Sequence, residues 1–143
     1  MSASTPDENK QFTLPVRVYY EDTDSGGVVF YANYLKFFER ARTEWLRTLG
    51  INQSELAASE NRIFVVVNTQ LKYRKPARLD DLIQIKSRIS KVSEASAIFE
   101  QRAELNTQLL VESTIQVCCV NSQTFRPAAI PPSVRTLLLS VQD

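Results

Sequence analysis

Apolar and polar residues change their spacing several times along the chain, and each change predicts an element. Leu14, Val16, Val18 and Tyr20 alternate with Pro15, Arg17 and Tyr19, the period of a strand with one buried face. The acidic, turn-rich EDTDSGG that follows predicts a loop. Past Val28-Val29-Phe30 the apolar residues recur at three- and four-residue steps, at 34, 38, 41, 45 and 49. That spacing predicts a helix over residues 34–49, with Phe38, Ala41 and Trp45 in one broad stripe and Gly50 at the C-cap. A shorter helical piece is expected to run through Leu56.

Four strand-like runs come next. Ile63, Val65, Val67, Thr69, Leu71 and Tyr73 are expected to share one face, with Phe64 and Val66 making the opposite face partly apolar. Ile83, Ile85 and Ile89 follow, then Ala97, Phe99, Ala103 and Leu105, then Leu109, Val111, Ile115, Val117 and Cys119. Their connections are short, which favours antiparallel neighbours. Pro131-Pro132 is expected to open a closing helix through Leu139. The order is α+β: a strand, one long helix, then a run of antiparallel strands. A helix carrying Phe37, Phe38, Trp45, Leu46 and Leu49 needs a sheet that wraps it. The polar residues 1–10 are expected to be a disordered tail, and residues 11–143 one domain.

Composition narrows the chemistry. With 143 residues, 43% of them hydrophobic, the chain is long enough for one real core. Seventeen Lys and Arg against sixteen Asp and Glu leave a net charge of +1, so nothing calls for nucleic acid as a partner. There is no histidine, which excludes Ser-His-Asp and Cys-His nucleophiles, HExxH zinc sites and His/Cys/Cys deaminase centres. The three glycines, at 26, 27 and 50, cannot make a dinucleotide or P-loop fingerprint, and no cofactor is called for. Cys118 and Cys119 are adjacent and would face opposite sides of a strand, poorly placed for a disulfide or a metal. No apolar run reaches membrane-spanning length and the N-terminus lacks a secretory apolar segment, so a cytoplasmic setting is expected.

An acidic loop with paired glycines, placed between a strand and a helix, puts carboxylates beside unpaired helix N–H groups. Those groups suit a developing oxyanion, and an acid next to them suits acyl transfer without histidine. A thioester is the natural target, because its thiolate leaves without strong acid assistance. The plainer alternative is that Asp22-Thr23-Asp24 only caps a turn and Gly26-Gly27 only makes one. Metal binding by Glu21, Asp22 and Asp24 is disfavoured, since Ca²⁺ loops space their oxygen ligands more widely.

Residues 16–50, VRVYYEDTDSGGVVFYANYLKFFERARTEWLRTLG, closely resemble the acyl-CoA thioesterases of the 4-hydroxybenzoyl-CoA thioesterase superfamily. The nearest branch is that of the bacterial Tol-Pal-associated acyl-CoA thioesterases. YRKPARLDD, residues 73–81, is similar to that family's second recognisable block. The resemblance implies the hotdog fold, in which an antiparallel sheet wraps a long helix, with the chain working as a homodimer or tetramer. It implies an acyl-CoA substrate, with acyl carrier protein as the other candidate carrier. It also assigns Asp24 as the catalytic aspartate and places Tyr31 at the helix start, where its backbone N–H would polarise the thioester carbonyl. Asn33 and Tyr34 match the family's Asn-Tyr, while Tyr31 replaces the branch's usual histidine.

Other residues stay open between two readings. Arg42 projects into the apolar stripe with Glu39 three residues earlier, an expected ion pair; alternatively Glu39 is the catalytic acid, as in some hotdog enzymes. Lys72, Lys75 and Arg78 would contact coenzyme A phosphates, or else form a solvated loop neutralised by Asp80 and Asp81. Tyr19 and Tyr20 are expected to be strand packing, or else, near Asp24, to line the acyl pocket. The competing function is a non-catalytic acyl-binding or scaffold protein of the same fold, working with acyl carrier protein or phospholipid-synthesis enzymes.

Overall fold

A computed structural model describes residues 10–143; apart from Lys10, the tail expected over residues 1–10 lies outside the described residues. In chain order the elements are β1 (Phe12–Arg17), α1 (Asn33–Thr48), α2 (Gln53–Glu60), β2 (Arg62–Tyr73), β3 (Leu82–Val92), β4 (Ser96–Leu105), β5 (Gln108–Asn121) and α3 (Pro132–Ser140). The strands form one antiparallel sheet in the order β1-β3-β4-β5-β2, so β2 is an edge strand bonded only to β5. This is the α+β arrangement expected, one long helix laid against one sheet.

Helix α1 forms because its apolar residues fall on a single face. Tyr34, Phe37, Phe38, Ala41, Trp45 and Leu46 are buried along it, and each fully buried phenylalanine contributes roughly 1.5–3 kcal/mol. The helix stops at Gly50, whose φ of 87° is the left-handed conformation glycine adopts freely. Gly50 N–H donates to the Arg47 carbonyl and Ile51 N–H to the Leu46 carbonyl, the paired bonds of a Schellman cap. Beneath the helix lie Ile83, Ile85 and Ile89 of β3, Ala97, Phe99 and Ala103 of β4, and Val111, Ile115, Val117 and Cys119 of β5. Cys118 sits on the opposite face, half-buried, and both thiols are free.

Three expectations are corrected. Tyr20 does not continue β1: the strand ends at Arg17, and Tyr20–Asp22 form a short 3-10 turn with Tyr20 exposed. The Asp22 carboxylate accepts the Tyr19 N–H at 2.8 Å and draws the chain out of the strand. The single inward face assigned to the first long strand is also wrong. Val66 lies opposite Val117 and Asn68 opposite Gln116, leaving Val67 as a bulge that reverses the alternation. Phe64 and Val66 therefore share the inner face with Thr69, Leu71 and Tyr73, while Ile63 and Val65 face out. Finally, Arg42 is buried as expected but makes no ion pair with Glu39 among the described residues. It donates to Gln101 Oε1 at 2.9 Å, and Gln101 Nε2 in turn donates to the Phe38 carbonyl and to Ser87 Oγ, each at 2.9 Å. Burial lowers the Arg42 pKa, partly offset by Glu39 nearby.

Candidate active site

The acidic loop is a tight hairpin. Thr23 and Val29 form a bridge, Asp24 N–H donates to the Val28 carbonyl at 2.9 Å, and Gly27 N–H donates to the Asp24 carbonyl at 3.0 Å. Gly27 has a φ of 77°, which the turn needs and a β-carbon would oppose. At the tip, Asp24 Oδ1 accepts the Gly26 N–H at 2.8 Å and the Val28 N–H at 3.5 Å, so the backbone fixes the carboxylate and leaves Oδ2 free of the protein bonds described. Gly26 is needed for closeness as well, since a β-carbon there would lie 3.3 Å from Asp24 Oδ1.

From the hairpin the chain passes directly into α1. Asp22 ties the two together: its carbonyl accepts the Phe30 N–H and the Asn33 side-chain amide, both at 2.9 Å. The helix N-cap is Ala32, which has no capping side chain, and no acid occupies the first turn. Among the described residues the N–H groups of Tyr31 and Ala32 find no acceptor. The result is a carboxylate at the hairpin tip and, seven residues on, amide donors without an acceptor at the positive end of a helix, the polarity a carbonyl oxygen gaining charge would seek.

Tyr31 and Asp24 are both exposed, and neither lines the cavity under the middle of α1. Tyr31 packs edge-on against Tyr73, their ring centres 6.1 Å apart, and its carbonyl accepts the Tyr73 hydroxyl at 3.1 Å. The spacing puts Tyr73 on one face with Thr69 and Leu71, and it lies there; the bulge at Val67 instead turns Ile63 and Val65 outward. Burial and the neighbouring Tyr31 hold its phenol above the usual tyrosine range.

The residues 73–81 block meets the first block here. Val29 N–H donates to the Ala77 carbonyl at 2.9 Å, Val28 bridges to Arg78, and the buried Tyr34 hydroxyl accepts the Ala77 N–H at 3.1 Å. Arg78 N–H donates to Asp81 Oδ2 at 2.8 Å, while its side chain and that of Lys75 are exposed beside the hairpin. Lys72 points away on the outer face of β2. Glu39 is exposed two turns into α1, remote in sequence from the uncapped end. Tyr19 and Tyr20 are exposed rather than packed. Among the described residues no group of three or more acidic or cysteine side chains is placed to hold a metal ion.

These features define a hotdog protein, and residues 26–112 match the Thioesterase superfamily. The chain belongs to that superfamily. It is 48% identical over 124 residues to the acyl-CoA thioesterase YbgC of Haemophilus influenzae, covering 87% of this chain and 91% of that one. It is 45% identical to the acyl-CoA thioester hydrolase YbgC of Escherichia coli over 86% of this chain and 92% of that one. Among solved structures, a probable thioesterase from Bartonella henselae superposes with a TM-score of 0.80 at 36% identity, over 85% of this chain and 99% of that one.

Proposed function

We propose that this acyl-CoA thioesterase hydrolyses its substrate with Asp24 and the Tyr31 backbone amide. The carrying observation is the hairpin itself: Gly26 and Val28 hold one carboxylate oxygen while the chain runs straight into an uncapped helix. The Tyr31 N–H donates to the thioester carbonyl oxygen. The free oxygen of Asp24 then either attacks the carbonyl carbon or takes a proton from the water that does, two routes that share one charged carbonyl oxygen. Water supplies the hydroxyl of the released acid and the proton that ends on the coenzyme A thiol. Nothing in this sequence of steps needs histidine, and the Tyr31 side chain is not required because the donor is main-chain.

The exposure of Asp24 calls for a second surface, and the sheet supplies one. β2 is an open edge of twelve residues whose Tyr73 touches Tyr31, so a second copy paired along β2 would roof the hairpin. The active form is therefore a homodimer, whether or not dimers assemble further. Lys75 and Arg78, exposed beside the site, suit the phosphates of a coenzyme A carrier; acyl carrier protein offers only its single phosphodiester. No helix among the described residues is long and apolar enough to cross a membrane, and a cytoplasmic location fits an enzyme acting on coenzyme A esters.

The test is Asp24→Asn, assayed for thiol release across short, long and aromatic acyl-CoAs beside a circular-dichroism melt. The expected result is an unchanged fold with turnover down about 10²–10⁴-fold. Near-wild-type hydrolysis by a folded variant would falsify the assignment. Wild-type protein that binds acyl-CoA but releases no thiol would instead favour the scaffold reading.

A further inference from the structure

One buried group is left unused by this chemistry. Beneath the middle of α1 lies a cavity of about 140 Å³ whose walls include Leu46, Phe64, Val66 and Phe99, with Arg42 inside and Glu39 at its rim. Arg42 is only 8% exposed, yet it has no carboxylate partner among the described residues, and its one protein bond is to the neutral Gln101. Every fully buried side-chain nitrogen and oxygen among those residues has a partner. Arg42 lines the cavity, and its guanidinium donors not bonded to Gln101 keep access to solvent. A buried cation with open donors, beside the apolar Leu46, Phe64, Val66 and Phe99 and the polar Thr43 and Gln53, matches a ligand that is apolar along its length with an oxygen anion at its end.

The cavity lies downstream of the active site on the same side of the helix. Arg42 is nine residues past Asn33, about 13 Å along the axis, the reach of roughly ten or eleven extended single bonds. On the inner face of β2, between Tyr73 at the Tyr31 turn and Phe64 and Val66 at the cavity, Thr69 is exposed and Leu71 half-buried. A chain whose thioester sits at the Tyr31 amide would follow this strip of β2 to the cavity.

We propose that the cavity receives the distal end of the acyl group and that Arg42 selects chains of about ten carbons ending in a carboxylate, that is, ω-carboxyacyl-CoA thioesters. This rests on the Asp24–Tyr31 reading of where the thioester lies. Glu39, the other charged group facing the cavity, opposes such a chain, but it is exposed and its repulsion is screened by water.

The experiment compares kcat/KM for two CoA thioesters of equal, roughly ten-carbon chains, one ending in methyl and one in carboxylate. Wild-type protein is expected to favour the carboxylate chain about tenfold, mainly through KM, and Arg42→Met to reverse that order. Glu39→Gln should widen the preference. A wild-type preference for the methyl chain overturns the proposal, and that result needs no variant to fold. So does a folded Arg42→Met variant with the wild-type ratio. Failure of the underlying site looks different: Asp24→Asn would then still hydrolyse both chains.

Discussion

The Tyr73 hydroxyl donates to the Tyr31 carbonyl at 3.1 Å, joining the edge strand β2 to the turn that opens α1. The bond holds the peptide whose neighbouring N–H is the proposed oxyanion donor, so Tyr73 is a positioning residue. Tyr73→Phe keeps the ring and its packing against Tyr31 and Tyr34 and removes only that bond. We expect a stability loss of about 0.5–1.5 kcal/mol with kcat down several-fold and KM little changed. Steady-state kinetics beside a urea titration check this; a rise in KM alone would assign Tyr73 to substrate binding instead.

The two glycines of the hairpin should fail in different ways. Gly27→Ala meets no neighbour, but its φ of 77° is strained for any β-carbon, so it should cost about 1 kcal/mol of stability. Gly26→Ala places a β-carbon 3.3 Å from Asp24 Oδ1, and the exposed carboxylate can yield by turning. Its melting temperature should hardly move while turnover drops about tenfold or more. Equal activity losses in the two variants, each in proportion to lost stability, would remove the special claim for Gly26.

Both glycines and Asp24 were legible in the sequence because turn chemistry is local: an acid two residues before a Gly-Gly pair needs nothing distant to close the hairpin. The same holds for α1 and its Gly50 stop. The inward face of the first half of β2 and the place of Gln101 were not legible, for physical reasons. One bulged residue, Val67, turns Phe64 and Val66 rather than Ile63 and Val65 toward the helix, and nothing in RIFVVVNTQLKY marks which valine is extra. Gln101 interrupts the apolar alternation between Phe99 and Ala103, so period alone makes it a flaw in the pattern. Its reason for being buried lies in residues 14 and 63 positions away, Ser87 and Phe38. Arg42 was read as buried correctly, but its partner was sought within its own helix rather than across the core.

That Gln101 hub predicts a large effect from a conservative change. Gln101→Leu preserves volume but removes the acceptor for Arg42 and the donor to the Phe38 carbonyl and Ser87. Stability should fall by about 2–4 kcal/mol, most of it from the buried guanidinium left without an acceptor. Adding Arg42→Met to Gln101→Leu should recover part of that loss, measured as a double-mutant cycle in guanidinium chloride. Strictly additive losses would show that the two side chains act independently.

Tyr34 sets an alkaline limit. Burial pushes its phenol above the ordinary value of about 10, outweighing the Ala77 amide bond that favours the ionised form. The unfolded chain therefore loses this proton first, and stability falls as pH rises past about 10 until the folded form also ionises. Tyr34→Phe strands the Ala77 N–H and should cost about 1–2 kcal/mol near neutral pH. It should also shrink the loss of stability between about pH 8 and pH 11, seen in thermal melts. An unchanged alkaline fall in a folded variant would place the titrating group elsewhere, with Tyr73 next to test because its phenol is also held high.

The open edge carries the last prediction. β2 offers twelve residues of backbone with no proline and no lysine before its last two positions, and Val66 and Val67 are 49% and 56% exposed along it. Edges of this length are ordinarily covered, charged or paired, and this one ends at Tyr73, bonded to the Tyr31 turn. Val67→Lys puts a charge on the bulge at the middle of the edge, where two copies pairing antiparallel would bring both lysines close together. Sedimentation velocity should show a wild-type dimer and a variant shifted to monomer, with thiol release falling in step with the dimer fraction. An active wild-type monomer would mean that one chain encloses its own substrate, and the second copy would lose its role in the site.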